Sequence, residues 1–236
     1  MNVIDDALST QTLQKALDAA AEMQACQDAL SRGEQNLVSE VLRCQGTFYE
    51  MDHYPKGDVY DNLSHSQYYY HAHRSSHDEH GHFHLFQRLP DTEMPADASE
   101  TESDTHNAAV HLIAVSMNKW GLPTELFTVN RWVTGDNWIP ATSVIALLER
   151  FSIKHAYPNW AVNRYLTAML TCYRHQIMSL VRQRDQILNA HMDARSLTLQ
   201  QALEDRTLEV VTSMTIDLED WYSQLEAELL RRRSTQ

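Results

Sequence analysis

The sequence predicts an α+β fold: a small antiparallel sheet of two hairpins in the middle of the chain, with helices before it and a long antiparallel helical hairpin after it. Three observations carry this. Apolar residues recur at spacings of three and four at both ends of the chain, which is helical periodicity. The middle alternates aromatic or β-branched residues with polar ones and is punctuated by turn formers. The share of hydrophobic residues, 43% of 236, is enough for a real core. The organisation expected is one domain over 1–236, helical over 1–45, sheet over 46–139 and helical over 140–236.

From Ile4 to Leu42 the positions Leu8, Leu13, Leu17, Ala20, Met23, Leu30, Leu37 and Val41 mark one buried helical face, with Gly33 breaking it in two. The stretch HYPKGDVYDNLSHS reads as loop, because Pro55, Gly57, Asp58, Asp61 and Asn62 form turns. SQYYYHAHR and HGHFHLFQR follow as strands, forming a hairpin centred on His77–Asp78. Residues 90–107 are acidic with almost nothing apolar, and are expected to be a mobile surface loop. HLIAVSMN and TELFTVNRWVT form the second hairpin, with Gly121 at its turn. The helical remainder is expected from Ala141, with long helices from about Trp160 to Met192 and from Leu199 to Arg232. The second of these begins at a Thr198/Gln201 capping box.

Charge and cysteine content exclude several function classes. With 19 Lys+Arg against 32 Asp+Glu, the net charge is −13, which repels phosphate backbones, so nucleic acid is not expected as a partner. Cys26, Cys44 and Cys172 are scattered, form no metal-binding pair and fit a reducing cytoplasm. They read as inert thiols in helical runs. The N-terminus carries acids where a secretory signal needs a positive start, and no window is apolar enough to span a bilayer. No nucleophile elbow, phosphate-binding loop or dinucleotide fingerprint occurs.

The chemistry lies in the histidines. Of 13, eight fall between His53 and His84. His71-Ala72-His73 and His82-Phe83-His84 each place two imidazoles on one face of a strand, because alternate residues point the same way. In the expected hairpin His71 opposes His84 and His73 opposes His82, with Tyr69 and Phe86 paired beyond them and His80 nearer the turn. Opposed side chains are close enough for several to meet one ion, and a slip of one residue would scatter them. Neutral imidazole suits iron and zinc, with copper the alternative, whereas magnesium and calcium prefer oxygen shells. The expected ligands are His71, His73, His82 and His84, with His80 in reserve. Asp78, Glu79, Asp58 or Asp61 would complete the set or orient an imidazole from behind. Tyr69, Glu79 and Arg131 are the candidate catalytic groups. Arg131 would bind a substrate carboxylate, or else would be salt-bridged to the helices with the neighbouring tryptophans as core.

Three functions fit such a cluster. One is a metalloenzyme, an oxygenase, oxidoreductase or hydrolase acting on a small molecule. The second is a metal carrier or sensor without turnover. The third follows from a likeness: His80-Gly81-His82-Phe83-His84-Leu85-Phe86 resembles the histidine-triad motif of nucleotide phosphate hydrolases, which would make His82 the nucleophile. Gly81 departs from that motif where a bulky apolar residue is expected, and His71 and His73 lie outside it. The helical hairpin could pack on its own core or pair with a second copy as a homodimer, which leaves the oligomeric state open. Taken together, HYPKGDVYD, SQYYYHAHR, EHGHFHLF, HLIAVSMNKWG and LFTVNRWVTGDNW resemble an uncharacterised, mainly proteobacterial domain family of unknown function. The resemblance covers His53 to Phe151 and the helical remainder. It implies one globular domain and brings no activity, cofactor or catalytic residue.

Overall fold

Six antiparallel strands form one sheet in the order in which they occur along the chain, with helices from both ends packed on it. The computed structural model describes residues 4–5, 7–74, 79–90, 93–94 and 107–234. The acidic segment expected to be mobile, apart from residues 90, 93–94 and 107, lies outside the described residues, as do His77 and Asp78.

Helices α1 (Thr10–Ser31) and α2 (Leu37–Leu42) form the N-terminal part, broken around Gly33 as the sequence predicts. Asn36 and Ser39 make a reciprocal capping box that starts α2, a device that contributes about 1 kcal/mol. Strand β1 (Tyr54–Asp61) replaces the expected loop. Its turn formers are real but sit in a bulge: the register with the next strand shifts between Tyr54 and Val59, and Gly57 and Asp58 there have φ of 81° and 58°. An edge strand tolerates such an interruption and the proline within it.

Strands β2 (Ser66–His71), β3 (Gly81–Pro90), β4 (Asn107–Met117) and β5 (Pro123–Val129) follow. The β4–β5 hairpin turns at Gly121, whose φ is +73°. The two expected hairpins are therefore parts of one sheet, joined by the pairing of β3 with β4. A short α3 (Arg131–Thr134) and α4 (Ala141–Leu147) lead to α5 (Trp160–Cys172) and α6 (Arg174–Arg195), which are separated at Tyr173.

The stretch expected as one helix from Leu199 to Arg232 is three elements: α7 (Leu199–Leu203), β6 (Val210–Thr215) and α8 (Leu218–Arg233). The Thr198/Gln201 capping box does start α7. Asp205 then turns the chain, accepting the Thr207 amide at 2.9 Å and meeting His191 and Arg195. The run Val210-Val211-Thr212 is β-branched and favours a strand, which pairs with β5. In consequence α8 packs on α1, and α6 lies against β6 and α4, in place of a hairpin between the last two helices.

The strands divide their side chains cleanly. Tyr68 and Tyr70 of β2 and Phe83 and Leu85 of β3 enter the main core with Leu13, Met23, Leu166 and Leu225 of the helices. The alternate residues, Tyr69 and His71 on β2 and His82, His84 and Phe86 on β3, share the other face.

Candidate metal centre

Pairing of β2 with β3 sets the site. His71 opposes His82 and Tyr69 opposes His84. This register is displaced by two residues from the expected one, so each side chain keeps its face and only its partner changes. The pairs expected to be opposite become diagonal neighbours: the His71 and His84 rings are 5.1 Å apart, Tyr69 and Phe86 5.5 Å, and His73 and His82 5.0 Å.

Gly81 shows why the chain enters β3 where it does. A Cβ on Gly81 would stand 2.6 Å from both the His71 carbonyl oxygen and the Tyr70 hydroxyl. The glycine that breaks the triad likeness is thus required by close packing of β2 on β3. Gly81→Ala is expected to destabilise the protein by about 1–3 kcal/mol, the usual cost of overpacking, and a melting curve checks it. An unchanged melting temperature would mean that this close approach relaxes freely.

His71, His73 and His82 each offer a ring nitrogen, and these nitrogens lie within 4.8 Å of one another, a group that could hold a metal ion. Three nitrogens around a tetrahedral zinc would stand about 3.4 Å apart, so modest side-chain rotations would close the set. His84 adjoins this group, its ring 4.8 Å from that of His82.

The hydrogen bonds assign the lone pairs. Glu79 Oε1 is 2.7 Å from His82 Nδ1. A carboxylate only accepts, so Nδ1–H donates and Nε2 carries the free lone pair. Glu79 is fixed in turn by the Ser116 hydroxyl at 2.7 Å and by Arg74 at 3.1 Å. Arg74 also reaches Glu125 at 3.1 Å and lies over the Phe127 ring. Behind His84 stands His111, Nδ1 to Nε2 at 2.9 Å. The backbone N–H of His111 donates to Asp136.

Among the described residues, Nε2 of His82, Nε2 of His84 and both ring nitrogens of His71 are buried with no hydrogen-bond partner. Burial, reinforced by His82, His73 and His53, pushes the His71 imidazole down to about 2. Burial likewise depresses His84 well below its ordinary value and His111 to about 3, the latter with help from Arg184 and His82. For His82, burial outweighs the opposing effect of the hydrogen bond it donates to Glu79, and the shift is again downward. These rings are neutral near pH 7, the form in which imidazole binds metals.

The remaining predicted residues are placed as follows. Tyr69 stacks on His53 at 3.6 Å, and its ring is 5.2 Å from both His71 and His84. His80 stands apart from the cluster: it precedes β3, where strand alternation does not apply. Its Nδ1 meets the Tyr70 hydroxyl at 2.8 Å, and its ring lies against Phe48. Arg131 pairs with Glu204 after α7, the helix-bridging alternative, while Trp132 donates to the Leu208 carbonyl. Burial raises the Cys26 thiol to about 12 and raises Cys172 as well, whereas Cys44 is exposed just past α2.

Asp58, named from the sequence as a carboxylate that could orient an imidazole, stands against His53, with Oδ1 and Nδ1 3.0 Å apart, whereas Arg74 and His111 were missed. His111 could have been found only by knowing the β3–β4 bulge between Leu85 and Phe86, which sets it opposite Phe86.

An antiparallel sheet whose one face carries a buried imidazole cluster, with a carboxylate behind it, defines an α+β protein with a candidate metal centre. Among the described residues no helix is long and apolar enough to cross a membrane. The family model described as Domain of unknown function (DUF6969) matches residues 17–216, and the chain belongs to that family. No curated protein and no solved structure matches it.

Proposed function

We propose that this chain, folded as one domain over 1–236, binds a transition-metal ion through His71, His73 and His82, with His84 as a fourth imidazole beside them. On this reading it is a His-ligated metalloenzyme, an oxygenase, oxidoreductase or hydrolase, acting on a small molecule in a bacterial cytoplasm. The observation that carries the proposal is that, among the described residues, three adjacent buried rings, those of His71, His82 and His84, each keep a ring nitrogen without a partner. Buried polar atoms are normally satisfied, and one cation accepting several of these lone pairs would satisfy them together. An all-imidazole set suits iron or zinc, with copper the alternative.

Glu79, with both oxygens engaged, would be a positioning residue that fixes the His82 tautomer, and Tyr69 would bring a phenol beside His71 and His84. Carboxylates in this position raise metal affinity roughly 10–100-fold. Glu79→Gln is therefore expected to weaken binding by about that factor, read by competition with a chromophoric chelator. Unchanged affinity would remove Glu79 from the site. The acidic charge supports exclusion of nucleic acid, and a homodimer remains compatible with the fold.

A second reading, a metal carrier or sensor, is favoured by the depth of the centre, since His82 and His84 are fully buried. That same burial, with Nδ1 of His82 held by Glu79, argues against the nucleotide hydrolase reading, which needs His82 to reach a phosphate. Plasma mass spectrometry on untagged protein tests the proposal. Near-stoichiometric iron, zinc or copper supports it and selects oxygen-uptake or hydrolysis assays. Metal-free protein that stays so after anaerobic reconstitution sinks it.

A further inference from the structure

Lys119 and Trp120 sit at the tip of the β4–β5 hairpin, and the turn that carries them is pinned. Asn118 Oδ1 accepts the backbone N–H of Trp120 at 2.9 Å and that of Leu122 at 3.0 Å. Gly121 packs so closely on the start of α2 that a Cβ there would stand 2.6 Å from Oδ1 of Asn36. On this fixed turn the Trp120 side chain is nevertheless 67% exposed, and the Lys119 ammonium lies 5.1 Å from the centre of its ring. Both line a cavity of about 570 Å³, walled also by Glu79 and His80 before β3 and by Thr215 and Ile216 where β6 ends. That volume falls within the range of small-molecule sites.

The charges in the wall indicate the guest. The Glu79 side chain is only 4% exposed, and its carboxylate already meets His82, Ser116 and Arg74. His80 is tied through Nδ1 to the Tyr70 hydroxyl at 2.8 Å. Lys119 alone of these has no carboxylate or hydrogen-bond partner among the described residues. An open indole beside an uncompensated cation complements an arene that carries a carboxylate: the ring lies against the indole and the anion meets the ammonium. Because the turn is already held in place, little ordering remains to oppose binding.

We propose that this cavity binds a small planar aromatic carboxylate, its ring against Trp120 and its anion paired with Lys119. The proposal requires no metal, so it stands or falls apart from the histidine centre.

Cinnamate and cinnamamide have the same shape and differ in charge. Each is titrated into the full-length protein by calorimetry, with Lys119→Met, Lys119→Arg and Trp120→Ala beside the wild type. The wild type is expected to bind cinnamate about fivefold more tightly than the amide, the worth of one exposed ion pair. Lys119→Met should abolish that preference while leaving the amide affinity in place, and Lys119→Arg should keep it. Trp120→Ala should weaken both ligands by about fivefold or more, the worth of stacking on an aromatic ring. All three replacements fall on exposed side chains, so unchanged melting curves are expected to accompany these effects. Absence of saturable binding in the wild type, equal affinity for the two ligands, a preference that survives Lys119→Met, or affinities untouched by Trp120→Ala would each overturn the proposal.

Discussion

Replacing His82 with alanine is expected to lower bound metal from about one equivalent to below about a tenth, because one ligand and its supporting carboxylate are lost together. His82 is the best-organised imidazole of the cluster: fully buried, its Nδ1 held by Glu79, its Nε2 without a protein partner. Its removal also strips a donor from a carboxylate whose side chain is 4% exposed. The variant should therefore lose about 1–3 kcal/mol of stability as well, the cost of leaving a buried group under-satisfied. His73 separates the two effects. Its side chain is 18% exposed, and outside the imidazole cluster it meets Glu209 at 3.7 Å. His73→Ala should release the metal with little change in melting temperature. Metal content by plasma mass spectrometry, with melting curves on the same samples, reads both. Retention of full metal in both variants would eliminate the His71/His73/His82 centre.

The second large effect is acid sensitivity of the metal-free protein. His71, His82, His84 and His111 are all depressed below the ordinary histidine value of 6.5, chiefly by burial. The unfolded chain therefore binds more protons than the folded one below about pH 6.5, and stability falls as the pH drops. Each such group contributes a slope of about 1.4 kcal/mol per pH unit, so the four together approach about 5. The slope sets in below about 6.5, and the His111 share of it persists toward about 3, where that ring takes up a proton in the fold. Against a typical total stability of about 5–15 kcal/mol, the apoprotein should unfold with a midpoint near about pH 5. Circular dichroism between pH 8 and 4 measures this. His84→Leu combined with His111→Leu should roughly halve the slope, and a profile flat to pH 4 would show that the imidazoles are not buried neutral.

What could be read in the sequence was whatever a two-residue period encodes. His71, His73, His82 and His84 were assigned to one face because alternation survives any even change of register. The pairing within that face was not legible: it depends on how closely Gly81 packs under Tyr70 and His71, which is a tertiary fact. His80 was misplaced for the same reason, since parity has meaning only inside the strand. Strand β1 was hidden by turn formers that occupy a bulge. Strand β6 was hidden by an apolar stripe whose helical spacing arises from elements that are not one helix. Arg74 and His111 needed knowledge of neighbouring strands, and no local pattern carries that.

Strand β6 reaches the sheet last. The first five strands follow one another along the chain and can pair as each leaves the ribosome, but β6 comes only after residues 130–209, with all of α3 to α7 between. Until then β5 stands as a bare edge, open to pairing with any other chain, while the imidazoles of β2 and β3 are already presented. The C-terminal segment thus acts as a late seal on the open edge of β5, and a nascent chain stalled before residue 210 is expected to be sticky there and, if the proposed centre binds metal, to take it up before the sheet is complete.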